Sequence, residues 1–147
     1  MRKDFVMTAK EYLGQYRSLK TDIDCKTEQL KELRELAESV SHSSSTCGSC
    51  GASDKVGKTV AKIIDQENEI RCKIYEFLEL KKEIESTISK VEDPLLRQLL
   101  ILKYINGREW VHIADSMNYG IRQVFRLHGK ALLKIKDVIE CQSQSVL

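Results

Sequence analysis

The 147-residue sequence predicts an all-α protein, a long antiparallel coiled-coil hairpin followed by a three-helix helix-turn-helix domain. Three observations carry that expectation. Residues 12–40 and 56–91 place apolar side chains at alternating steps of four and three, the spacing of a helix seam. One proline and seven glycines leave few places where long helices could be interrupted. Residues 109–135, EWVHIADSMNYGIRQVFRLHGKALLKI, read as two short helices joined by a tight turn.

Taken in order, Thr8-Ala9-Lys10-Glu11 has the form of a capping box, with Met7 and Tyr12 at the two positions of a hydrophobic staple. A helix is therefore expected from near residue 9. Its seam runs through Tyr12, Tyr16, Leu19, Ile23, Lys26, Leu30, Leu33, Ala37 and Val40. Residues 41–54, SHSSSTCGSCGASD, are rich in Ser, Gly and Cys without periodicity and read as a flexible loop. Ser53 or Asp54 can cap the helix that follows.

The second seam runs through Val56, Val60, Ile63, Glu67, Ile70, Ile74, Phe77, Lys81, Ile84, Ile88 and Val91. Matched lengths predict that the two helices return on each other within residues 1–93, with partner numbers summing to about 96. Lys26 then falls within about one turn of Glu67, where a charge pair can help fix the register. A homodimer through the coil, each helix pairing its own copy in parallel, is the alternative.

At Glu92-Asp93-Pro94 the helix must break, because Asp93 suits an N-cap and Pro94 the first position of a new helix. Leu95, Leu96, Leu99, Leu100, Leu102 and Ile105 give that helix a wide apolar face, and Asn106-Gly107 ends it. Residues 94–140 form the expected helix-turn-helix domain, and residues 141–147 a frayed tail. Within the domain Ile113, Met117, Tyr119, Val124, Leu127, Ala131 and Ile135 supply inward positions. Arg122, Arg126, Lys130 and Lys134 recur every fourth residue and fall on one side of the last helix.

Charge divides along the same line. Residues 1–93 hold 16 Lys+Arg against 18 Asp+Glu, whereas residues 94–147 hold 8 against 4. Apolar residues inward and cations outward on one helix suit contact with a polyanion.

From about Leu99 to Ile135 the chain resembles region 4 of the sigma-70 family, which binds the −35 promoter element. The matching residues are Lys103-Tyr104-Ile105-Asn106-Gly107, then Ile113-Ala114-Asp115-Ser116-Met117-Asn118-Tyr119-Gly120, Val124, and Lys130-Ala131-Leu132-Leu133-Lys134-Ile135. With its long helical first half, the chain is similar to small prophage proteins of Gram-positive bacteria, in the style of the RinA and ArpU-type regulators. The resemblance implies sequence-specific double-stranded DNA binding by a phage-type transcriptional regulator acting with RNA polymerase. Carried over residue by residue, it makes Ile121, Arg122, Gln123 and Arg126 the base-reading positions. Arg108, Lys130, Lys134 and Lys136 are then placed for phosphates. Trp110 takes the family's buried leucine position. Asn118 stands where a left-handed turn residue is needed. Two caps depart from the pattern: Glu109 and Gly120 replace the usual Ser or Thr.

The rival functions are a small terminase subunit, which also joins a helix-turn-helix to an oligomerising coil, and a non-enzymatic coiled-coil adaptor whose basic tail binds an acidic protein. No phosphate loop, carboxylate pair or nucleophile–base set points to an enzyme, and no cofactor is expected. Cys47-Gly48-Ser49-Cys50 with His42 offers three ligands where a structural zinc needs four, so no metal is expected. His112 and His128 are expected at the surface. No apolar run is long enough to span a bilayer, and five cysteines at irregular spacing read as reduced thiols of a cytoplasmic protein.

Overall fold

The computed structural model describes residues 7–43 and 52–145. The protein is all-α. Five helices follow one another: α1 (Ala9–Ser43), α2 (Ala52–Ser89), α3 (Pro94–Leu100), α4 (Trp110–Met117) and α5 (Ile121–Gln144). A π-helical segment, Ile101–Ile105, continues α3. The described residues fall into two compact units, Leu19–Phe77 and a second made of residues 7–18 with residues 78–145.

The capping box forms as its residues suggest. The Thr8 N–H donates to Glu11 Oε2 at 2.8 Å and the Glu11 N–H to Thr8 Oγ1 at 3.2 Å. The Thr8 contacts also hold the Glu11 carboxyl below its ordinary range. α2 begins at Ala52, so Ser53 and Asp54 lie in its first turn rather than ahead of it. Asp54 there pairs with Lys58 at 3.1 Å. Cys47 and Cys50 lie outside the described residues.

In the Leu19–Phe77 unit the two helices run in opposite directions. Lys26 pairs with Glu69 at 2.7 Å and Asp22 with Lys73 at 2.6 Å. Partner numbers in these pairs sum to 95, against an expected value near 96. Lys26 therefore meets Glu69 rather than Glu67, whose carboxylate pairs with Arg34. Leu30 and Ile70 are buried on the seam. Cys25 and Cys72 are exposed free thiols, as their outward heptad positions require.

The second unit is larger than residues 94–140, because the start of α1 and the end of α2 belong to it. Leu13, Tyr16, Ile84, Ile88 and Val91 are buried there with Leu96, Leu99 and Leu100. Tyr12 is anchored through its hydroxyl to Glu83 at 3.0 Å and Thr87 at 3.2 Å. The break at Pro94 is built by two residues. Asp93 Oδ1 accepts the Leu95 N–H at 2.9 Å, and Arg97 Nη1 donates back to the Val91 carbonyl at 2.7 Å. Arg97 is thus committed to closing the α2–α3 corner.

After Leu100 the chain widens to π-helical hydrogen bonding, with the Asn106 N–H donating to the Ile101 carbonyl at 2.9 Å. Tyr104 is buried while Ile101 is turned outward. Gly107 follows at φ +65°, a left-handed conformation that suits glycine. α5 extends through Gln144, past residue 141 where a frayed tail was expected to begin. Val138, Ile139 and Gln142 are half-buried, so the shielded side of α5 continues past Ile135.

Candidate nucleic-acid interface

α4 and α5 are joined by Asn118-Tyr119-Gly120. Asn118 adopts φ 57° and ψ 41°, and its N–H and that of Tyr119 return to carbonyls of the last turn of α4. Asparagine tolerates that conformation better than other residues with a Cβ, so one residue reverses the chain without a glycine. Tyr119, expected inward, is 40% exposed. Ile113, Ala114 and Met117 of α4 are buried with Val124, Leu127, Ala131 and Ile135 of α5. Both helix starts lack side-chain caps. Glu109 and Gly120 stand at the N-cap positions and neither supplies a side-chain hydrogen bond. The first N–H groups of α5 are therefore open to an anion or to solvent.

With Val124, Leu127, Ala131 and Ile135 turned inward, the opposite face of α5 carries Arg122, Arg126 and Lys130, all exposed. Each four-residue step advances the direction by about 40°, so Lys134 stands at the edge of this face. No ion pair engages Arg122, Arg126, Lys130 or Lys134 among the described residues, and Ile121 and Gln123 beside them are exposed as well. Lys136 does not join the row. It lies about 200° around the axis from Lys134 and pairs with Glu140 at 3.7 Å. Arg108 is exposed on the loop before α4, where its N–H donates to the Leu102 carbonyl at 2.9 Å.

Between α4 and α5 lies a cluster that sequence reasoning missed. Trp110 is half-buried, its ring 5.1 Å from that of Phe125 and 4.7 Å from that of His128. Lys103 Nζ sits 4.4 Å from the Trp110 ring centroid, a cation–π contact. The Tyr104 hydroxyl lies 2.9 Å from His128 Nε2. His128 is therefore no surface residue: it is half-buried and ringed by aromatic partners. The signal was present in the chain, since Ile121, Phe125, His128 and Leu132 step by four, three and four beside the core row.

Burial lowers the His128 pKa, and the nearby charges of Lys10 and Lys103 add to the effect. Burial raises that of the Tyr104 phenol. A histidine depressed in the folded state favours its neutral form there. Its contribution to stability is complete above the unfolded value near 6.5 and is lost as pH falls through the folded value. Wild-type protein is expected to lose urea resistance between about pH 7.5 and about pH 5, and a His128→Gln variant to lose less. Equal slopes for the two proteins would show that His128 plays no part.

Among the described residues no group of three or more His, Cys, Asp or Glu is placed to hold a metal ion. No helix there is long and apolar enough to cross a membrane.

Fold and surface together define an all-α protein that ends in a turn-linked helix pair with a basic outer face. Residues 36–136 match the model of a family described as a protein of unknown function, DUF1492, and the chain belongs to that phage-associated family. No curated protein and no solved structure matches the chain.

Proposed function

We propose that the chain is a sequence-specific double-stranded DNA-binding protein, a phage-type transcriptional regulator acting with RNA polymerase, with α4 and α5 as its sigma region 4-like helix-turn-helix. The outer face of α5 carries this reading. Arg122, Arg126, Lys130 and Lys134 are exposed and form no ion pair among the described residues, and no acidic residue occurs between Asp115 and Asp137 to offset them. A cationic surface helix is often only a solvated face. Here it follows a tight left-handed turn from α4 and shows a bare N-terminus, the arrangement that lets a helix enter the major groove end-first.

In that pose Arg122 and Arg126 offer two-donor forks to guanine, Gln123 matches adenine, and Ile121 packs on a thymine methyl. Arg108, Lys130 and Lys134 meet phosphates, which set affinity and position rather than sequence. Lys136, about 40° around the axis from Arg122 and in an exposed pair with Glu140, is placed for a phosphate further along the helix.

The test is titration of a labelled duplex with the full-length protein at several salt concentrations. Affinity should fall steeply with salt. Lys130→Ala should weaken all sequences alike and reduce the slope of log affinity against log salt by about 0.9, one phosphate contact. Absence of salt-dependent binding by the wild-type protein at low ionic strength would refute the reading. Transcription in vitro with and without added RNA polymerase then tests the regulatory part.

A further inference from the structure

The two flanks of the basic face differ. Going around α5 from Arg122, Arg126, Lys130 and Lys134 stand about 40°, 80° and 120° to one side. Phe125 and His128 stand about 60° and 120° to the other. The only cation that α5 itself places on that second flank is Lys136, 14 residues beyond Arg122 and paired with Glu140, and the stretch beside Phe125 and His128 is backed instead by cations from elsewhere in the same compact unit. Lys103, in the π-helical segment, is held against Trp110, which touches both Phe125 and His128. Lys10 precedes Arg17 by seven residues and so lies on the same face of α1, the face from which Arg17 reaches Gly107, and its charge acts on both His128 and Lys103. Arg17 of α1 donates to the Gly107 carbonyl at 3.4 Å and so steadies the loop that carries Arg108.

These like charges repel. Burial lowers the Lys103 pKa, Arg17 and Lys10 lower it further, and Glu109 opposes them. A fold gains nothing from bringing cations within range of one another, and their field is favourable only toward an incoming anion. A helix seated in the major groove has a phosphate backbone on each side of it. Lys130 and Lys134 are placed for one of these backbones.

The geometry points to Lys10 and Lys103, with Arg108, as a second phosphate-binding edge that takes the opposite backbone. The inference rests on the DNA-binding reading above and extends the interface from α5 to the beginning of the chain. The Trp110–Phe125 pair lies beside Lys103, on the flank of α5 away from Lys130 and Lys134. Cation–π contact with Trp110 holds the Lys103 ammonium in place, where a free lysine would give up more side-chain freedom on binding.

The experiment compares salt-dependent binding of a labelled mixed-sequence duplex by full-length wild-type, Lys10→Gln/Lys103→Gln and Lys130→Gln/Lys134→Gln proteins. Lys58→Gln, distant in sequence, serves as control, and thermal melting monitors folding. Each double variant is expected to lose about 1.8 from the slope of log affinity against log salt, two contacts at 0.9 each. Lys103→Arg and Lys58→Gln are expected to keep the wild-type slope. If the Lys130/Lys134 variant loses slope while the Lys10/Lys103 variant does not, the second edge is refuted and the DNA-binding reading stands. If the wild-type protein does not bind, both fall. A Lys10/Lys103 variant that melts early is replaced by Lys10→Gln alone, at an exposed site, for which a loss of about 0.9 is expected and an unchanged slope overturns the inference.

Discussion

Leu99→Ala should destabilise the protein by about 2–5 kcal/mol, the usual cost of deleting a fully buried leucine side chain. Leu99 is 0% exposed, nearly two turns after the Asp93 cap, and it shares the core with Leu96, Leu100, Ile113 and Val124. α3 and α5 pack directly on each other, so a void at this position loosens the platform on which the basic helix rests. The midpoint of thermal unfolding should fall by on the order of 10 °C in a chain of this size. Leu133→Ala is the matched control. The same atoms are removed from a side chain that is 65% exposed, and the expected change is within about 0.5 kcal/mol. Urea denaturation of the two variants decides the matter, and equal midpoints would contradict the packing described for α3.

The second large effect concerns recognition. Arg122→Ala and Arg126→Ala should each reduce preference for the cognate site by about 1–3 kcal/mol, the worth of a two-donor contact to guanine. That corresponds to a roughly five- to 150-fold loss in the ratio of specific to non-specific affinity. Both side chains are exposed on the face opposite the α5 core row, so neither change should disturb folding. The cognate site is first enriched from a random-sequence duplex pool with wild-type protein. Binding to that site and to a scrambled duplex is then compared for each variant. Unchanged ratios for both variants would remove Arg122 and Arg126 as base readers and leave them as general cations.

Much of the architecture was legible because it depends on period and on local chemistry. Seam positions such as Leu30 and Ile70 are shielded, the Thr8–Glu11 box forms, Asp93 caps α3, and Asn118 takes the left-handed turn. Other features were hidden for physical reasons. A heptad pattern shows which stripe is apolar but not where a third partner joins. Leu13, one position off the seam, is the residue whose complete burial marks the start of α1 as enclosed on more than one side. The π-helical segment inserts an extra residue into the turn, which shifts every side chain after Leu100 relative to a regular helix. His128 looked exposed on its own helix, and its partners Tyr104 and Trp110 arrive from elements 18 or more residues away. Of the candidate interface, the four-residue period of the cations was readable from the chain. The Lys136–Glu140 spacing is the same four-residue step, whereas the contacts of Trp110 with Lys103 and Phe125 required the structure.

The compact unit that carries the basic face is assembled from both ends of the chain, residues 7–18 with residues 78–145, and this has a consequence for how it is made. During synthesis its first segment emerges long before its last. Bringing Tyr12 to Glu83, 71 residues apart, in a single closure would cost roughly 4 kcal/mol of chain entropy. The intervening pairs offer a gentler route. Arg34–Glu67, Lys26–Glu69 and Asp22–Lys73 join residues 33, 43 and 51 apart. Zipping from the Arg34 end would let each closure start from the one before, and would bring the early residues to the end of α2 before α5 is made. On that route the paired helices would serve as an assembly guide for the unit they interrupt in sequence.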